Sequence, residues 1–246
     1  MKIGFFDSGI GGLTVLKEAL NVLPNQHFIY YGDTENIPYG EKSAEAIIEY
    51  SMNAARFLVD RGAEAIVVAC NTASSAAGQT LRHNFDIPII CMEPAINLAF
   101  KENASKILVL ATNLTLHLDK YLSLKERLNA PIDEVAAPKL VELAEEFRFD
   151  EVGDYLSKIL AEYDLREYSH LVLGCTHFTF FRDALQSIMP PHIKIIDGNK
   201  GTIEQLIRQL PTANCQRSTE IEMHFTKENK NMREIERFLS HDIKTI

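Results

Sequence analysis

Two apolar runs in this 246-residue chain end alike. Ala65-Ile-Val-Val-Ala leads into Cys70-Asn71-Thr72, and His170-Leu-Val-Leu-Gly leads into Cys175-Thr176-His177. A short Val/Ile/Leu-rich run of this kind reads as a parallel strand covered on both faces, because alternation disappears when neither face meets water. Each cysteine then lies at the carboxyl end of its strand, where open α/β sheets place their ligand crevices.

The spacing of the two runs organises the rest. The offset, 175 − 70 = 105 residues, also lays Ile3–Asp7 on Leu108–Thr112, Ile29–Gly32 on Glu134–Ala137, and Ile87–Cys91 on His192–Ile196. The chain therefore reads as two pseudo-duplicated α/β units, each a parallel sheet flanked by helices, with the site in the cleft between them. Strands are expected at 2–6, 27–32, 65–70, 87–92, 107–111, 134–137, 169–174 and 192–196. Helices are expected at 12–23, stopped by Pro24; from a Ser43 cap to Arg61, with Gly62 as a left-handed stop; and at 73–83. A tail, with strand 220–225 and helix 228–239, is expected to return to the first unit. This divides the chain into residues 1–93 plus 206–246 and residues 94–205, with hinges near Glu93-Pro94 and Gly201.

Composition narrows the classes. An apolar fraction of 46% is ample for a buried core. A formal charge of −9 without a basic stripe disfavours nucleic acid as a partner. No apolar run approaches the about 18 residues needed to cross a bilayer, and Asp7 interrupts the first apolar stretch too early for a signal peptide. Four cysteines in a chain this long do not make a secreted disulfide framework. The expectation is a cytoplasmic protein with no membrane partner.

Several segments carry residues suited to chemistry. Asp7-Ser8-Gly9-Ile10-Gly11-Gly12 follows the first strand, and its glycines let backbone N–H groups approach an anion. It is neither a dinucleotide fingerprint nor a P-loop, and an ordinary strand–helix turn remains open. Gly32-Asp33 and Pro38-Tyr39-Gly40 suit a gate over a small ligand or a plain turn. Cys70-Asn71-Thr72 offers a thiol, an amide and a hydroxyl at a helix start. Cys175-Thr176-His177 adds an imidazole but lacks the paired spacing of a zinc site, so no metal is expected. Cys91 and Cys215 read as small buried hydrophobes. Glu145 and Glu146 read as a solvated helix face unless a ligand ammonium needs a partner.

Taken together, Phe6–Val15, Tyr31-Gly32-Asp33, Pro38-Tyr39-Gly40, Val68–Ser74 and Leu173–Phe178 closely resemble the signature blocks of bacterial glutamate racemase, one of the cofactor-independent aspartate/glutamate racemases. The resemblance implies interconversion of L- and D-glutamate without a cofactor, supplying D-glutamate for peptidoglycan, in a chain whose relatives are often homodimers. By position, Cys70 and Cys175 would be the catalytic thiols, Cys70 acting on D-glutamate and Cys175 on L-glutamate, assisted by Asp7 and His177 respectively. Ser8, Tyr39, Gly40, Asn71, Thr72 and Thr176 would hold the substrate's carboxylates and ammonium. Thr112 and Thr115 match a further binding segment, and Glu145 matches a carboxylate near the cleft. Leu118, Lys139, Glu142 and Asn199 depart from the family pattern around the second unit.

The chemistry explains such an arrangement. An amino-acid α-carbon is a far weaker acid than a thiol, so its deprotonation needs a desolvated base beside donors aimed at the developing charge. Inversion needs one base on each face of the carbon. A racemase acting on aspartate or another amino acid is the near alternative. A Cys–His hydrolase using Cys175 and His177, or an amino-acid-binding module, would leave one or both thiols idle.

Overall fold

The strand predicted to open the chain runs one residue further than its apolar core, as β1 (Lys2–Asp7), and it sits inside a sheet rather than at an edge. The computed structural model describes residues 1–128, 131–210, 218–241 and 244–245. The first sheet contains β1, β2 (His27–Gly32), β3 (Ala65–Val68), β4 (Ile89–Cys91), β9 (Glu220–Phe225) and β10 (Lys244–Thr245), in the order β10-β9-β2-β1-β3-β4. The second contains β5 (Ile107–Ala111), β6 (Ile132–Ala136), β7 (His170–Leu173) and β8 (Lys194–Ile196), in the order β6-β5-β7-β8. All pairings are parallel. The helices are α1 (Leu13–Val22), α2 (Ala44–Asp60), α3 (Asn71–Asn84), α4 (Ile96–Lys101), α5 (Asn113–His117), α6 (Asp119–Leu128), α7 (Lys139–Glu145), α8 (Val152–Leu160), α9 (Arg182–Ile188), α10 (Asn199–Gln209) and α11 (Met232–Leu239). Among the described residues, no helix is long and apolar enough to cross a membrane.

Period-two alternation sends successive β1 side chains to opposite faces. Ile3 and Phe5 pack with α1, α10 and α11, whereas Phe6 packs with α2 and α3. At Gly4 a side chain would press against Leu58, 3.0 Å away, so glycine lets α2 lie close to the sheet. In the second sheet, Leu108 and Leu110 face α7, α8 and α9, while Ile107 and Val109 face α4 and residues of α5 and α6. Burying a large apolar side chain is worth about 1.5–3 kcal/mol. Truncating Phe5, fully buried, to alanine would cost about 3–5 kcal/mol.

The duplication is visible in the pairing. Ile3 pairs with Phe28 and, 105 residues on, Leu108 pairs with Asp133. The repeat then slips by one: Gly4 pairs with Ile66, but Val109 pairs with Val172 rather than Leu171. A single register therefore holds for two strands of each sheet and not for the third.

Several boundaries differ from expectation. β3 stops at Val68, because Ala69 and Cys70 turn the chain and Cys70 itself caps α3, its sulfur accepting from Ala73 N at 3.5 Å. α3 consequently starts at Asn71 rather than 73. Ser43 caps α2 by accepting from Ala46 N, and Gly62 ends it at φ +84°. The tail helix starts at Met232 rather than 228, after a polar turn in which Asn229 Oδ1 accepts from Asn231 N. The residues around Gly201, expected as a hinge, lie inside α10, which also crosses the expected boundary at 205/206 and buries Ile203 and Leu206 in the first sheet's core. Cys215 lies outside the described residues, and Cys70, Cys91 and Cys175 are free and buried.

Candidate active site

Four strands of parallel sheet deliver their carboxyl ends to one place. β1 ends at Asp7, Cys70 stands two residues beyond β3, Thr112 follows β5, and Cys175 stands two residues beyond β7. Asp7, Ser8, Tyr39, Cys70, Asn71, Thr72, Thr112, Thr115, Cys175, Thr176 and His177 are all buried, with Gly40 and Glu145 half-buried.

Direct bonds close the two halves over one another. Asp7 Oδ1 accepts from Gly9 N at 2.9 Å, and Asp7 Oδ2 accepts from Thr176 Oγ1 of the opposite half at 3.1 Å. Glu145 Oε1, at the last residue of α7, accepts from Ile10 N at 2.7 Å and lies 2.6 Å from His177 Nε2. The other ring nitrogen, Nδ1, lies 3.7 Å from Cys175 Sγ. On the opposite side, Cys70 Sγ lies 3.8 Å from Ser8 Oγ. Thr72, Thr112 and Thr115 form a triangle of hydroxyls, 2.9–3.4 Å apart, joining α3 to α5.

Glycine is required where these loops touch. A side chain at Gly9 would collide with the Glu145 carboxylate and Ile37, and one at Gly11 with Thr176 and the His177 ring. At Gly40 it would come within 2.8 Å of Thr112 Cβ, so the loop after β2 lies against the second half. Tyr39 anchors that loop by donating to Asp33 Oδ2 at 2.6 Å, and Asp33 Oδ1 also accepts from Thr226 Oγ1 of the tail at 3.1 Å.

Burial, the nearby charge of Asp7 and that of Cys175 push the Cys70 thiol up to about 12, against the N–H of Ala73 and the hydroxyl of Ser8. Burial opposes a charge on His177, but hydrogen bonding and attraction to Cys175 and Glu145 outweigh it and hold the imidazole well above its ordinary value. Burial raises the Asp7 carboxyl, partly offset by His177 and the Gly9 N–H.

Every residue singled out from the sequence for this site is gathered here or in the loops lining it. Glu145 turned inward, while its neighbour Glu146 is exposed and pairs with Arg148 at 2.7 Å. Adjacent positions on a helix end point about 100° apart, which separates the two. Asn71 lines a small cavity with Thr115, Tyr121 and Gly174, and its buried Oδ1 has no partner among the described residues. Of the departures, Asn199 is buried and donates to Thr14 Oγ1 at 3.0 Å, while Glu142 and Lys139 line the outer mouth beside Ile37 and Pro38. Leu118 joins α5 to α6. Two supporting residues escaped the sequence reading. Tyr30 donates from inside the first core to Gly9 O at 2.7 Å, and Ile10 contributes only its backbone N–H. A tyrosine in an otherwise apolar buried strand was the available signal for the first, since a buried phenol needs a partner. Among the described residues, no group of three or more His, Cys, Asp or Glu is placed to hold a metal ion.

The model of the Asp/Glu/hydantoin racemase family matches residues 14–206. A glutamate racemase of Campylobacter curvus is 50% identical over 225 residues, covering 87% of this chain and 85% of its own. The crystal structure of Escherichia coli glutamate racemase, in complex with L-glutamate and the activator UDP-MurNAc-ala, superposes with a TM-score of 0.88 at 28% identity, covering 99% of this chain and 97% of its own. That of Francisella tularensis glutamate racemase, in complex with D-glutamate, gives 0.82 at 28%, covering 99% and 95%.

Proposed function

From the membership of this chain in the Asp/Glu/hydantoin racemase family, among its glutamate racemases, we propose that it interconverts L- and D-glutamate through two thiols, Cys70 and Cys175, without a cofactor. The observation that supports this reading is the pair of cross-links that ties the Cys175 turn to the loop after β1, Thr176 to Asp7 and His177 through Glu145 to Ile10, because Ser8 of that same loop lies 3.8 Å from Cys70 Sγ.

With L-glutamate bound, Cys175 as thiolate takes the α-proton, forming S–H while the C–H electron pair passes into the α-carboxylate as enediolate charge. Cys70, which holds its proton at neutral pH, then delivers it to the opposite face, and its S–H electrons remain on sulfur. D-glutamate runs the same steps backwards. His177, kept protonated by Cys175 and Glu145, stabilises charge on the Cys175 side, and Asp7 serves the Cys70 side. Ser8, Tyr39, Gly40, Asn71, Thr72, Thr112, Thr115 and Thr176 supply the hydroxyl, amide and backbone groups for two carboxylates and an ammonium. Burial removes competing water, which strengthens each of these contacts. The D-glutamate formed is destined for peptidoglycan.

The test is incubation of each enantiomer of glutamate and aspartate in D₂O, following circular dichroism and loss of the α-proton by NMR. Inversion of glutamate with deuterium incorporation is expected. Turnover of aspartate alone would move the substrate, and no α-hydrogen exchange with either acid would overturn the reading.

A further inference from the structure

Three helices of this protein, α2, α4 and α7, end in the same backbone motif with different residues at its critical position, Asn103 holding it after α4. At the end of α2, Gly62 N–H bonds to Val59 O at 2.8 Å and Ala63 N–H to Leu58 O at 3.0 Å, with Gly62 at φ +84°. At the end of α7, Phe147 N–H bonds to Ala144 O at 3.0 Å and Arg148 N–H to Leu143 O at 2.8 Å. Here the left-handed position is held by Phe147, at φ +54°. Glycine takes this place without cost, whereas a β-carbon is disfavoured there and an aromatic side chain is a rare occupant.

The ring accounts for the choice. α7 buries Leu140, Val141, Leu143 and Ala144 in the second sheet's core, but Phe147 packs against the core of the first. It also meets Phe149 edge-on at 5.6 Å, and Phe149 in turn contacts Phe180 and Phe181, at the end of the turn that starts with Thr176. The end of α7 is thus anchored across the junction of the halves. Two residues earlier, Glu145 crosses the same junction to Ile10 N while holding His177 of its own half, and Asn231 Nδ2 donates to the Glu145 carbonyl at 3.4 Å.

We propose that Phe147 is a positioning residue for the reaction: its left-handed backbone and docked ring fix the end of α7 so that the Glu145 carboxylate stays on His177 and the Ile10 N–H. The role rests on the reading of Glu145 and His177 as the proton-handling partners of Cys175. Displacement of a reacting group by about an ångström costs up to 10²-fold, and a displacement one residue removed costs less.

The test is a double-mutant cycle. Phe147→Gly keeps the left-handed backbone free of strain and removes only the ring, so it folds even where Phe147→Ala does not. Phe147→Gly is expected to lower kcat/KM for L-glutamate about tenfold, and to shift the pH limb belonging to His177 downward as Glu145 loosens. In a Glu145→Gln background the same change is expected to cost less than twofold, although the thermal midpoint falls equally in both backgrounds. A tenfold loss in both backgrounds, or an unmoved pH limb, would assign Phe147 to packing alone and overturn the proposal while leaving the relay reading intact. Unimpaired Glu145→Gln would overturn the relay reading, and the role of Phe147 with it.

Discussion

The two halves of the site share a backbone plan and differ in what surrounds the sulfur. Cys70 is pressed to keep its proton by burial and the nearby charge of Asp7, against a backbone N–H at 3.5 Å and a hydroxyl at 3.8 Å. Cys175 has a charged imidazole at 3.7 Å, itself held by a carboxylate at 2.6 Å. Duplication gave matching strand ends, and divergence gave the two sulfurs unequal partners. A two-base inversion needs that inequality, because one sulfur must be empty when the other is loaded.

Removing either sulfur breaks the comparison most severely. Cys70→Ser and Cys175→Ser are each expected to lower kcat/KM for inversion by about 10³-fold, within the range of general acid–base groups. Cys70→Ser should still exchange the α-proton of L-glutamate, and Cys175→Ser that of D-glutamate, read by NMR in D₂O. Equal exchange of both enantiomers in both variants would erase the distinction between the sides.

The next largest effect isolates the imidazole. His177→Asn is expected to cost about 10²-fold. His177 is raised in the folded protein, so its charge is present at low pH and is lost as pH rises through the raised value. kcat/KM for L-glutamate should therefore fall on the alkaline side in the wild type, and that limb should vanish in His177→Asn. Persistence of the limb would assign it to another group.

The same asymmetry is testable in stability. Cys70 is raised from an ordinary 9.0 to about 12. Its contribution is therefore fully present below pH 9 and is lost as pH climbs toward 12, where the unfolded chain ionises first. Between pH 8 and 10 the wild type should lose roughly 1 kcal/mol more than Cys70→Ala. Urea midpoints at the two pH values measure this, and identical losses would show that Cys70 is not held protonated.

The strand positions along the chain, the duplicated α/β plan and the location of both cysteines were legible because they rest on apolar runs and a fixed offset. The register slip was not, since a shift of one residue between two uniformly apolar strands leaves no mark on their hydropathy. Glu145 shows another limit. Glu145 and Glu146 are identical in type, and only the α7 end held by Phe147 turns one inward and leaves the other on Arg148. Ile10 was unreadable for a simpler reason, as its contribution is a backbone N–H that any residue but proline carries.

The loops after the second strand of each sheet extend the contrast to its smallest term. Asp33 follows β2, and its counterpart 105 residues on is Pro138, which leads directly into α7. The first half thus needs a side-chain anchor where the second has a helix. Tyr39→Phe removes one donor from Asp33, which keeps Asn36 at 3.0 Å and Thr226 at 3.1 Å. With those partners retained, the loss should be about 1 kcal/mol, seen as a fall in Tm of roughly 2–4 °C, with KM for glutamate raised about twofold. A loss above about 3 kcal/mol would mean that the Tyr39–Asp33 bond alone anchors the loop, and an unchanged Tm would mean that packing of Tyr39 against Phe6 and Tyr50 suffices.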